Sequence, residues 1–100
     1  MPSFQRHVRR ALDSLPPDIA AKLENVAVII EDENPDDPDL FGLFQEEPYL
    51  PAKISVYRIP LEESFPDPAE LEREIRITVL HELAHYFGID EDRLDELGYG

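Results

Sequence analysis

The stretch from Pro66 to Gly88 constrains this chain more than any other. Asp67 stands where a helix N-cap belongs, Pro68 suits a first helical position, and Glu70 follows Asp67 at capping-box spacing. At the far end Gly88 adopts positive φ at no steric cost and so ends a helix naturally. Between them the residues predict one long helix running to about Phe87. At about 100° per residue from Leu71, the residues Ile75, Val79, Leu83, Phe87, Leu80, Ala84 and Ile77 fill an arc from about 40° to about 240°. Arg73 and Arg76 interrupt that arc near the helix start. Glu74, Thr78, His81, Glu82 and His85 share the rest. A helix this apolar belongs at the centre of a core, with its polar stripe facing a groove.

The polar stripe carries the chemistry. In His81-Glu82-Leu83-Ala84-His85 the two histidines are four residues apart, on one face and one turn from each other. Both imidazoles can then reach a single tetrahedral ion at about 2.0–2.1 Å. Glu82 lies beside them, near the position a bound water would take. Zinc lowers the pKa of such a water towards about 7, and a carboxylate there can take its proton. A lone His-x-x-x-His pair is usually incidental; Glu82 and Gly88 make this one specific. Zinc is expected over other divalent metals because two imidazoles and a carboxylate suit it. A third protein ligand is needed if one position holds water. His7, on the basic side of the first helix, reads as a solvated surface residue. Carboxylates remain, and Asp90, Glu91, Asp92, Asp95 and Glu96 all follow Gly88. Glu74 and Thr78 share the metal face, and Tyr57, Tyr86 and Tyr99 are candidates to polarise a carbonyl, with nothing to select one.

The rest of the chain outlines the fold. Ser3 to Leu15 has a helical apolar stripe with Ser3 as cap, and Pro16-Pro17 stop it. Pro17 opens a short second helix through Leu23. Val26 to Ile30 reads as a buried strand. Glu31 to Asp39, acidic and proline-bearing, reads as a loop. Phe41 to Phe44 is a short apolar segment with strand character, and Lys53 to Ile59 alternates like a strand with one buried face. Asp90 can cap a last short helix that turns Leu94 and Leu97 inward and closes at Gly98. The elements describe one domain over residues 1–100, with no internal repeat.

Composition excludes several functions. The chain has no cysteine, so disulfide scaffolds, cysteine-based zinc fingers and thiol nucleophiles are out. Its 23 acidic against 9 basic residues give a net charge of -14, which disfavours nucleic acid. No apolar run approaches a membrane span of about 20 residues, and none at the N-terminus reads as a signal peptide. A cytoplasmic location is therefore expected. Nothing in the residues indicates oligomeric state.

The sequence resembles the minimal bacterial zincin-like metallopeptidases. The likeness rests on Leu40-Phe41-Gly42-Leu43-Phe44, on Ile54-Ser55-Val56-Tyr57-Arg58, on Thr78 through Asp90, and on Leu94-Asp95-Glu96-Leu97-Gly98-Tyr99. The family's motif is similar to that of the metzincins, with an acidic residue as third ligand ten positions after the first histidine. Here that position is Glu91, where the family pattern leads one to expect aspartate; Asp92 is the second choice. Met1 is the only methionine, so the metzincin methionine turn is absent. The resemblance implies a zincin-like α+β fold, a small mixed sheet packed against the central His-Glu-x-x-His helix with N-terminal and short C-terminal helices. It implies Zn2+ held by His81, His85 and Glu91, with Glu82 as catalytic base; the general-base chemistry of the motif makes a peptide or protein the expected substrate. The strand from Lys53 to Ile59 would bind that peptide along its edge if it is an exposed edge. The alternative is a non-catalytic zincin-like protein-binding module with a vestigial or structural metal site. A third possibility is a masked protein whose acidic loop, Glu31 to Asp39, docks a basic surface.

Overall fold

A computed structural model describes residues 3–96, except for the side chain of Glu91. Among these residues the order is α1 (Phe4–Asp13), α2 (Pro17–Lys22), β1 (Val26–Glu31), β2 (Gly42–Gln45), β3 (Ala52–Tyr57), α3 (Arg58–Ser64), α4 (Pro68–Phe87) and α5 (Glu91–Glu96). Leu97, Gly98 and Tyr99 lie outside the described residues.

The long helix forms as its caps dictate. Asp67 accepts from the N–H of Glu70 at 3.0 Å, Pro68 opens the helix, and Gly88 closes it with φ 65°. Leu71, Ile75, Val79, Leu80 and Leu83 are buried. With Phe4, Val8, Ala11, Leu15, Ile19, Ile54, Val56, Leu61 and Leu94 they form the core. Phe87 departs from the expected pattern. Phe87 stays 38% exposed and Tyr86 44%.

The three strands lie in the order β1-β3-β2. β1 runs parallel to β3, pairing Val28 with Ile54, and β2 runs antiparallel to it, pairing Leu43 with Ser55. The sheet is thus small and mixed, and with five helices around it among the described residues the architecture is α+β.

β3 corrects the sequence reading in three ways. It is the central strand, so both its edges are already hydrogen-bonded and no peptide can add along it. Ile54, Ser55, Val56 and Tyr57 are all buried, as a strand covered on both faces must be. It also ends at Tyr57, because Arg58 and Ile59 turn into α3, with Pro60 tolerated in the first turn. β1, expected to be buried, is an edge strand whose Ala27 and Ile29 face outward.

α1 packs against α4. His7, expected at the surface, is buried there with 6% exposure, and its Nδ1 lies 3.0 Å from Oε1 of Glu72. Burial of a polar ring demands such a partner. Arg76 donates to the Ser14 hydroxyl at 2.9 Å across the same interface. The arginines that interrupt the apolar arc therefore include one that joins the two helices.

Candidate metal centre

α4 sets the geometry. Thr78, Glu82 and Tyr86 recur every four residues on the flank of the helix beside β2. Gly42 meets Thr78 there, since a Cβ on Gly42 would lie 2.5 Å from Thr78 Cγ2 and 3.2 Å from the Ser55 carbonyl oxygen. Only a glycine lets the strand come this close. One residue pair further along, the Phe44 ring stacks on Tyr86 with centroids 4.3 Å apart. β2 and α4 therefore run side by side in the same direction, with Glu82 between these contacts.

The pairing of β2 decides which of its backbone groups are free. Tyr57 N–H donates to the Phe41 carbonyl at 2.9 Å. In an antiparallel ladder alternate residues bond to the partner strand, so Leu43 and Gln45 face β3. Gly42 and Phe44 point their N–H and C=O groups to the open edge. Phe44 N–H donates to Glu82 Oε2 at 3.2 Å. β2, the segment read from sequence as a short apolar strand, is thus the edge strand that adjoins the motif.

His81 and His85 are exposed, and Glu82 is half-buried. Among the described residues neither imidazole has a hydrogen-bond partner, so both are available as donors. Two unengaged imidazoles one turn apart fit a zinc ion. Thr78 does not orient them; its hydroxyl donates to the Glu74 carbonyl at 2.8 Å. Tyr57 is buried, and its hydroxyl accepts from Asn34 Nδ2 at 2.9 Å. Tyr86 lies near Glu46, whose negative charge holds the phenol pKa above its usual value.

From the sequence a third ligand is expected on the segment after Gly88. Asp90 Oδ1 accepts from Arg93 N–H at 2.8 Å and so acts as the cap of α5. Glu96 is bound by Arg93 at 3.2 Å, and Asp92 and Asp95 are exposed. The Glu91 side chain, the favoured ligand, lies outside the described structure. Among the described residues no three His, Cys, Asp or Glu side chains are grouped to hold one ion. α5 itself is well anchored. Leu94 enters the core, and Arg93 donates to both oxygens of Asp18 on α2, at 2.9 and 2.8 Å. Those bonds hold the Asp18 carboxyl below its usual range.

Sequence reasoning missed the other wall of the groove. The acidic loop folds back through Asn34, whose Oδ1 accepts from the N–H groups of Asp36 and Asp37 at 2.8 and 3.0 Å. Asp37 and Asp39 thereby line a groove of about 300 Å³ together with Phe41, Gly42, His81 and Glu82. The loop had read as a solvated or partner-docking segment. Its one legible cue was Asn34 before Pro35-Asp36, a turn-forming run.

No helix among the described residues is long and apolar enough to cross a membrane. No curated protein sequence matches the chain. A family model for zincin-like metallopeptidases matches residues 23–100, from the end of α2 onward and including β2, α4 and α5. The chain belongs to the zincin-like metallopeptidase family.

Proposed function

We propose that the protein is a zinc-dependent peptidase that cleaves an extended peptide lying along the open edge of β2. The observation that carries this reading is the meeting of His81, Glu82 and His85 with an unpaired strand edge. The backbone groups of Gly42 and the carbonyl of Phe44 face that edge, as an added strand requires, while the Phe44 N–H is taken by Glu82. His81 and His85 would hold the metal through one ring nitrogen each, with Glu91 as the third ligand. Bound zinc supplies a water of lowered pKa and polarises the carbonyl. Glu82 would take up the nucleophile's proton at its carboxylate and hand it to the departing amine. The Phe44 amide holds Glu82 against the groove wall in the meantime. A peptide antiparallel to β2 places its C-terminal side towards Asp37 and Asp39 and its N-terminal side towards Tyr86.

A second reading is a zincin-like binding module with no turnover. It draws support from Asp90 and Glu96, carboxylates after Gly88 that are engaged by Arg93. Glu82→Gln separates the two. Assayed on a pool of casein-derived peptides with zinc present, the native chain should cut and the variant should not, while both retain one zinc. Zinc-loaded native chain that cuts nothing favours the binding module.

A further inference from the structure

A second pocket, separate from the groove at His81 and Glu82, lies one helical turn further along α4. Past the end of β2, this pocket of about 590 Å³ opens between the last turn of α4 and the β2–β3 connection. Its walls include Tyr86, Phe87, Tyr49, Leu50, Glu46 and Glu47. Four of these are large apolar side chains left in water: Tyr49 is 104% exposed, Leu50 60%, Tyr86 44% and Phe87 38%. Clustered exposure of this kind marks a recognition surface.

The tip is also strained. Leu50 N–H donates to the Glu47 carbonyl at 3.3 Å, closing a turn with Pro48 at its second position. The third position, Tyr49, has φ 70°, a conformation that this type of turn reserves for glycine. A tyrosine held there, 104% exposed, carries a conformational cost that no core contact offsets.

Charge indicates the occupant. Among the described residues, the groove beside His81 and this pocket together present Asp37, Asp39, Glu82, Glu46 and Glu47 against one cation, Lys22. Lys22 is itself occupied, its ammonium 5.3 Å above the Phe87 ring. The chain as a whole carries -14. A cleft of this sign favours lysine and arginine and repels acidic segments.

We infer that this pocket anchors a bulky aliphatic or aromatic side chain of a basic peptide, on the N-terminal side of the segment that pairs with β2. The inference rests on the peptide-edge reading above and supplies its substrate class. The bulky residue enters between Tyr86 and Leu50, and flanking lysines or arginines meet Glu46 and Glu47.

The test uses the full native chain in chelator, so that peptides bind uncut. The probe is an end-blocked, fluorescein-labelled Gly/Ser/Lys peptide with one leucine, read by anisotropy. Replacing its leucine by serine, or its lysines by glutamate, should weaken binding about tenfold or more. Tyr49→Gly with Leu50→Ser should erase the leucine preference without lowering Tm, since both side chains are exposed and glycine suits φ 70°. Glu46→Lys with Glu47→Lys should reverse the charge preference. A preference unchanged in these variants, or no binding by the native chain, overturns the inference. Leucine-dependent binding that is never followed by cleavage with zinc added supports the pocket and removes the peptidase reading. Cleavage whose preference the variants leave unchanged does the opposite.

Discussion

The main-chain N–H of Phe44 donates to Glu82 Oε2 across 3.2 Å, tying the open edge of β2 to the carboxylate that sits between His81 and His85. The bond spans 38 positions of sequence, and it joins the edge strand to the helix face that carries His81 and His85. Glu82→Gln keeps an acceptor oxygen, so its stability should stay within about 0.5 kcal/mol of native. Glu82→Leu leaves the half-buried amide unpaired and should cost about 1 kcal/mol. Urea unfolding of the two variants checks the difference.

Gly42 is the closest approach between strand and helix. Thr78 cannot swing its methyl aside without breaking the bond from its hydroxyl to the Glu74 carbonyl. Gly42→Ala should therefore destabilise by about 1–3 kcal/mol, the usual penalty for overpacking. Adding Thr78→Ser removes the methyl nearest the new Cβ and should restore much of the loss. Comparable losses in the single and double variants would place the strain at the Ser55 carbonyl instead.

Glu72 makes the α1–α4 interface sensitive to acid. The hydrogen bond with His7 is the largest cause holding its carboxyl below the usual 4.5, and Arg10 at 3.6 Å adds to it. A lowered carboxylate pKa in the folded state adds stability that is complete above the unfolded value. That stability drains away as pH falls through the folded value. The Tm gap between native chain and Glu72→Gln should thus be widest near neutrality and close below about pH 4.5. A gap constant from pH 7 to pH 3 would show that the pairing contributes nothing electrostatic.

Much of this arrangement is legible in the residues, and the misses share a cause. α4 is readable because its caps and its apolar arc are local. α1, α2 and α5 are readable for the same reason, through Ser3, Pro17 and Asp90. Strand neighbours are not local. Nothing in Lys53 to Ile59 says that β3 lies between β1 and β2, and that order alone decides which edge is open. His7 looked solvated because its partner, Glu72, lies 65 positions away. The Asp37–Asp39 wall escaped notice because an acidic, proline-bearing run reads as loop wherever it lands. α3 was hidden by the alternating pattern running on into Arg58 and Ile59.

The third ligand divides two neighbouring carboxylates. Asp92 is exposed on α5, whereas Glu91 stands at the ligand position of the motif. Glu91→Ala should reduce zinc affinity by more than the roughly 10–100-fold that a supporting residue costs. Asp92→Ala should change it by no more than about twofold. Competition with a chromogenic chelator reads both, and the reverse order would move the ligand to Asp92.

Zinc stoichiometry tests the central claim most directly. Elemental analysis at neutral pH should find one zinc per native chain and none bound by His85→Ala, because a single imidazole and one carboxylate do not hold the ion. No zinc on the native chain after incubation with excess metal, or full zinc on His85→Ala, would contradict a metal centre on α4.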